Sequence, residues 1–158
     1  KSLTVKIPEG KKQKVFIEIW NNPLSTAGKK SFINELIELA GGNNIAYDLK
    51  SAYGSFSPEI VIKRNPDCII LAYMGKDNFK NELKARAGWN KISAVKNDRV
   101  YGDIDPDILL RPGPRITEGL REIYKKLYEP SPSLGGYKDT IRKGLGEPQP
   151  FKSGWKKI

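Results

Sequence analysis

Short apolar runs rich in β-branched and aromatic residues, each followed by a segment of helical spacing, limit what this chain can fold into. VFIEIW (15–20) and DCIILAY (67–73) are long enough to be strands buried on both faces and too short to be core helices. From about residue 29 to 40, Phe32, Ile33, Leu36, Ile37, Leu39 and Ala40 recur at helical intervals, and Gly41-Gly42 supply a stop. NNIAYD (43–48) reads as a short second strand. Ser57-Pro58-Glu59 suits the start of a second helix, with serine at the cap, proline in the first turn and a carboxylate on the helix dipole. That helix ends before Pro66. A helical stretch over 79–87, a compact irregular stretch over 89–95 and a fourth strand at 99–101 follow. After a Pro/Asp-rich loop, residues of about 115–128 predict a last amphipathic helix with Ile116, Leu120, Ile123 and Leu127 on one face. Alternation of this kind predicts an α/β architecture with a mostly parallel sheet.

The chain has 158 residues, enough for one domain with a hydrophobic core, and no apolar stretch long enough to span a membrane. Residues 1–14, lysine-rich and broken by Pro8 and Gly10, read as a linker entering the domain at 15–128. Residues 129–158 carry repeated Pro and Gly with no sustained period. They predict an extended tail that Leu134, Tyr137, Phe151 and Trp155 could anchor.

Several function classes fall away on composition. There is no histidine, which removes Ser-His-Asp and Cys-His catalysis and the commonest transition-metal ligand. Cys68 lies inside the apolar run CIILAY and reads as a small core hydrophobe. The segment WNNPLSTAGKKSF (20–32) stands where a phosphate-cradling loop would stand, but Pro23 occupies the first glycine position and Lys30 the Ser/Thr position. The net charge of +10 suits a solvated cationic surface or attraction of an anionic partner. No nucleic-acid motif accompanies it, so a basic nucleic-acid module is the weakest reading. Asp103, Asp105 and Asp107 lack the glycine and glutamate of a calcium loop, since Ile108 and Pro114 fill those positions. A turn explains them, and a magnesium-dependent phosphate-handling enzyme using Asp103 and Asp105 is the alternative from another class.

Two groups of residues suggest binding. Arg111 and Arg115 flank Pro112-Gly113-Pro114 at a helix start, where guanidinium forks and backbone N–H groups can hold an anion together. The plain alternative is that Arg115 pairs with a nearby acid such as Glu118. Trp20, Tyr53, Tyr73 and Met74 fall at expected strand ends or in the loops that follow, where parallel α/β sheets bind ligands. Aromatics converging there beside arginines suit a large, flat, anionic ligand, and no catalytic set can be assembled from them.

The ordered segments VFIEIWNNPLSTAGKKSFINELIELAGGNNI, SPEIVIKRNPDCIILAY, WNKISAVKNDRVYGDID and RPGPRITEGLREI, spread over about residues 13–128, carry a resemblance. The chain resembles the C-terminal lobe of the substrate-binding proteins of ABC importers for ferric siderophores, haem and vitamin B12. The resemblance implies a single three-layer α/β/α lobe and a non-enzymatic, extracytoplasmic protein, periplasmic or lipid-anchored, with no cofactor of its own. It also implies a partner N-terminal lobe beyond this chain, a metal chelate held between the lobes, and a membrane permease that receives it. The resemblance makes the segment after the first strand a loop facing the cleft, which places Trp20, Asn21 and Asn22 against ligand and leaves Trp89 to packing. Glu118 is the candidate for permease docking. Without histidine, haem iron would have to take its axial ligand in this lobe from a tyrosine such as Tyr53 or Tyr73.

A ferric siderophore suits the basic charge and Arg111/Arg115 slightly better than cobalamin does. Replacing both arginines with alanine is expected to weaken binding of an anionic ferric siderophore by about tenfold or more in a fluorescence titration. Unchanged affinity would remove them from the mechanism.

Overall fold

The computed structural model describes residues 10, 12–73 and 79–128. Most of the linker expected at 1–14 and the whole tail expected at 129–158 lie outside the described residues. Among those described, six strands form one sheet: β1 (Gln13–Asn21), β2 (Leu24–Ala27), β3 (Gly42–Asn44), β4 (Tyr53–Ser55), β5 (Cys68–Leu71) and β6 (Val100–Tyr101). The order is β4-β2-β1-β5-β6, and β3 pairs with the first residues of β1. β1 pairs in parallel with β3 and β5, and β5 with β6, whereas β2 pairs antiparallel with β1 and with β4. The helices are α1 (Phe32–Leu39), α2 (Pro58–Arg64), α3 (Phe79–Ala85), α4 (Ser93–Lys96), α5 (Pro106–Leu110) and α6 (Ile116–Tyr128), with a 3-10 turn at Trp89–Lys91.

The two-residue period of the central strands sorts their side chains into two cores. Val15, Ile17, Cys68 and Ile70 meet Ile33, Leu36 and Ile37 of α1, Leu109 of α5, and Leu120, Ile123 and Leu127 of α6. On the other face Phe16, Ile69 and Leu71 meet Val61 of α2, Leu83 of α3, Trp89, and Ala94 and Val95 of α4. This is the expected three-layer lobe. Full burial of each large aliphatic side chain contributes about 1.5–3 kcal/mol before the entropy of ordering the chain is counted. Cys68 belongs to the first core, and burial pushes its thiol up to about 12, consistent with a packing role.

Several local expectations change. The segment after β1 is not a plain loop: the chain turns at Asn22-Pro23, a cis peptide bond, and returns as β2. The second strand is only Gly42–Asn44, and residues 45–48 form a turn. Ser57 does not cap α2 with its side chain; its hydroxyl donates to the Glu59 carboxylate at 2.7 Å. The Pro/Asp-rich loop contains α5, whose cap is Asp105, its carboxylate accepting from the Asp107 N–H at 2.9 Å. Ile116 stays 41% exposed, so the buried stripe of α6 begins at Gly119 and Leu120.

The entry to α1 is held by buried polar groups. Ser31 Oγ accepts from the Asn34 N–H at 3.1 Å and donates to the Gly28 carbonyl at 2.7 Å. Asn44 donates to the Ala27 carbonyl at 2.8 Å and to Asn34 at 3.1 Å, joining β2, α1 and β3. Gly28 is required here by close approach, because its N–H donates to the Ala52 carbonyl and a Cβ would collide with the Ser51 carbonyl and lie 2.9 Å from that of Leu49.

Gly28→Ala is therefore expected to destabilise the lobe by about 1–3 kcal/mol in urea unfolding. Gly113→Ala, where nothing lies within 4 Å of the added carbon, is expected to stay within about 0.5 kcal/mol of the parent.

Candidate functional site

The carboxyl ends of β1 and β5 lie side by side, with Glu18 opposite Leu71. Beyond that level β1 carries Trp20, after a register irregularity, and the chain leaving β5 carries Tyr73. The two rings meet edge to face, with centroids 5.7 Å apart and planes at 64°. Trp20 is 53% exposed, so the pair presents an aromatic surface to solvent at the edge where a ligand would sit.

Beneath the rings lies a charged group that burial alone would forbid. Glu18 is 0% exposed, and a lone carboxylate there would be strongly disfavoured. Arg86, just past α3, donates from Nη1 to Glu18 Oε2 at 2.7 Å and from Nη2 to Oε1 at 2.8 Å. Tyr73 Oη donates to the same carboxylate at 2.6 Å. The Arg86 guanidinium also stacks 4.5 Å from the centre of the Trp89 ring, which packs edge-on to Phe16. Burial raises the Tyr73 phenol well above its ordinary range, and the bond to Glu18 raises it further. Burial works against the Arg86 charge, but the Glu18 carboxylate more than offsets it and holds the guanidinium above its usual value.

The other candidates are placed differently. Asn21 and Asn22 sit exposed at the β1–β2 turn, with Asn21 opposite Leu24. Tyr53 opens β4 rather than ending a strand. It pairs with Ala27, two residues back from Ser55, which shares a row with Ser25 and Trp20. Met74 lies outside the described residues. Arg111 is 79% exposed in its side chain and lies 3.4 Å from Asp107. Arg115 bonds the Glu118 carboxylate at 3.0 and 3.2 Å and Asp105 at 3.2 Å, so the plain pairing is realised and Glu118 is engaged by it. Asp103 accepts from Lys126 at 2.6 Å. Among the described residues no group of three or more His, Cys, Asp or Glu could hold a metal ion. Asp103, Asp105, Glu118 and Glu122 instead line a cavity of about 490 Å³ beside the start of α6.

Sequence reasoning missed Glu18 and Arg86. The available signal was the acid inside VFIEIW, since a charge in a strand buried on both faces demands a partner.

The carboxyl edge of the sheet thus carries an exposed Trp20 ring set on Tyr73, above a buried Glu18 carboxylate paired with Arg86. The chain belongs to the periplasmic binding protein family, whose model matches residues 2–107, a family of solute-binding proteins and not of enzymes. It is 36% identical over 124 residues to an uncharacterized ABC transporter substrate-binding lipoprotein of Bacillus subtilis, covering 77% of this chain and 38% of the relative. A cobalamin-binding protein of Halobacterium salinarum is 32% identical over 100 residues, covering 59% of this chain and 26% of that protein. A crystal structure described as a possible iron-binding, periplasmic solute-binding protein of Staphylococcus epidermidis superposes with a TM-score of 0.69 at 41% identity, covering 76% of this chain and 46% of that one. The chain thus spans less than half the length of each of these relatives.

Removing one partner of the Glu18–Arg86 pair leaves an uncompensated buried charge. Arg86→Ala is expected to cost about 3–5 kcal/mol in denaturant unfolding, and Glu18→Gln with Arg86→Met together less than the sum of the single changes.

Proposed function

We propose that this lobe is half of the substrate-binding component of an ABC importer, acting outside the cytoplasm. It holds one face of a metal chelate against a preceding N-terminal lobe and delivers it to a membrane permease. The observation that carries the reading is the solvent-exposed Trp20 ring set against Tyr73 at the carboxyl edge of a parallel sheet. A large flat or conjugated chelate gains apolar contact there without any group on the lobe having to react.

A ferric siderophore is the favoured cargo. The net charge of +10 draws an anionic complex towards the lobe, and the 41% identical neighbour is described as possibly iron-binding. Arg111 is free to reorient, since its contact with Asp107 is long and exposed. Arg115 serves an anion only by exchanging Asp105 or Glu118 for it, a change of modest cost at an exposed site. Asn21, Asn22, Tyr53 and Met74 complete the proposed contact set, with Tyr53 the most peripheral. The cobalamin reading draws on the 32% identical cobalamin-binding relative, and the same aromatic edge would serve a corrin. Glu118 remains the candidate for permease docking. The cavity that it shares with Asp103, Asp105 and Glu122 also carries Arg121, and Arg115, Lys125 and Lys126 already pair with its carboxylates, so an arginine from a partner would dock there by exchanging with one of these exposed pairs.

The test is a tryptophan-fluorescence titration of the protein extended through its preceding lobe, using ferric siderophores, haem and cobalamin. Saturable quenching by one class at micromolar concentration or below, reduced about tenfold or more by Trp20→Ala, is the expected result. No response to any chelate would overturn the reading.

A further inference from the structure

We propose that the lobe has a second binding site, on its flank and apart from the aromatic edge, for a phosphate ester of a polyol. Among the described residues β3 pairs with β1 alone. Beside it lies a cavity of about 590 Å³, bordered by Lys14 of β1, Lys29 before α1 and Lys63 in the last turn of α2. That volume is within the range of roughly 300–1,000 Å³ that small-molecule sites occupy. Its lining shares no residue with the aromatic edge or with the cavity beside α6.

Charge and hydrogen bonding around the cavity are both incomplete. Lys14, Lys29, Lys63 and Arg64 line it against a single carboxylate among the described residues, that of Glu38. Arg64 is already matched, since its guanidinium holds Asp48 through bonds of 2.7 and 2.8 Å. The Lys14 ammonium donates once, to the Arg64 carbonyl at 2.9 Å, and keeps two protons to offer. Lys29 and Lys63 are exposed and have no ion-pair partner among the described residues. A buried amide adds to this demand. Asn34 is 3% exposed yet lines the cavity. The orientation of its neighbour Asn44 is fixed, because Asn44 Oδ1 accepts from the Ala46 N–H at 3.0 Å and Nδ2 donates to the Ala27 carbonyl at 2.8 Å. That Nδ2 also donates to Asn34 Oδ1 at 3.1 Å, so Asn34 must turn its oxygen to Asn44. Asn34 Nδ2 is left with no protein acceptor among the described residues, and it takes one from whatever fills the cavity.

Phosphate answers these groups. Its oxygens only accept, and ammonium groups can reach them from separate elements as point charges without the planar match a guanidinium needs. Glu38 sets the rest of the ligand. Its carboxylate also only accepts, so it repels a bare anion and is satisfied by hydroxyl groups on the same molecule. Tyr47, 61% exposed with the Arg64 guanidinium carbon 4.7 Å from its ring centre, offers a flat wall for the carbon skeleton. A soluble ester and a lipid headgroup share this chemistry. The site stands independently of the importer reading.

The test uses the protein extended through its preceding lobe, titrated calorimetrically with sn-glycerol 3-phosphate, inorganic phosphate and glycerol, and sedimented with vesicles of phosphatidylglycerol in phosphatidylcholine. Saturable binding of glycerol 3-phosphate is expected, weaker binding of inorganic phosphate, none of glycerol, and loss of affinity as salt rises. Lys29→Gln with Lys63→Gln, both at exposed positions, is expected to weaken the ester about tenfold. Asn34→Asp, which keeps the acceptor for Asn44 and replaces the free donors with charge, is expected to weaken it at least as much with unchanged far-ultraviolet circular dichroism. Glu38→Gln is expected to bring inorganic phosphate and the ester within about twofold of each other. Vesicle binding lost in the double lysine variant, with no response to the soluble ester, would support the site and assign its source to a lipid surface. A soluble response without vesicle binding would assign it to a free ester. No saturable response to any phosphate probe, glycerol binding equal to that of its phosphate, or parental affinity in the double lysine variant would overturn the proposal.

Discussion

A carboxylate with no access to water sits at the centre of this lobe, and much of the surrounding geometry follows from the need to satisfy it. Glu18 belongs to β1, the strand from which the sheet extends on both sides. Its partners come from far along the chain: Tyr73 follows β5, and Arg86 follows α3. The ion pair thereby ties one helical layer to the carboxyl edge of the sheet. Buried pairs of this kind contribute little to net stability compared with a well-packed apolar substitute, because desolvation offsets most of the attraction. What they supply is geometry, since both oxygens of Glu18 are assigned and the Tyr73 ring has one place to go.

The aromatic edge depends equally on the two cores that hold β1 and β5 in parallel register. With Val15, Ile17, Cys68 and Ile70 committed to one face and Phe16, Ile69 and Leu71 to the other, neither strand can slip by one residue without reversing its entire side-chain pattern. The level of Trp20 and Tyr73 beyond the strand ends is thus set by packing deep in the sheet. The β1–β2 hairpin places Trp20 beside Ser25 rather than in an open loop. Surface ion pairs, by contrast, have latitude. Those of Arg111 and Arg115 are exposed and exchangeable.

Most of the layer structure was legible in the residues because hydrophobic period and breaker residues are local signals. The β1 and β5 runs, the α1 stripe with its Gly41-Gly42 stop, and the proline-bounded α2 all appear close to their expected positions. Shorter elements were not legible. β2 and β4 have four and three residues and no alternation strong enough to separate them from loop, so the hairpin at Asn22-Pro23 went unseen. α5 is five residues long and is specified by the Asp105 cap more than by any apolar stripe. At the site, Trp20 and Tyr73 could be placed at strand ends from sequence, but Tyr53 could not be assigned to the start of its strand.

The sequence by itself determined the α/β class, the buried fate of Cys68, the absence of histidine chemistry and the likeness to a solute-binding lobe. Each of these rests on residue type or on spacing within a few turns of chain. Only the tertiary structure decided which charges meet. Glu18 and Arg86 are separated by 68 residues, and Glu18 and Tyr73 by 55, so no local pattern pairs them. The fold brings them together because adjacent parallel strands juxtapose distant segments, and burial then makes their mutual satisfaction obligatory.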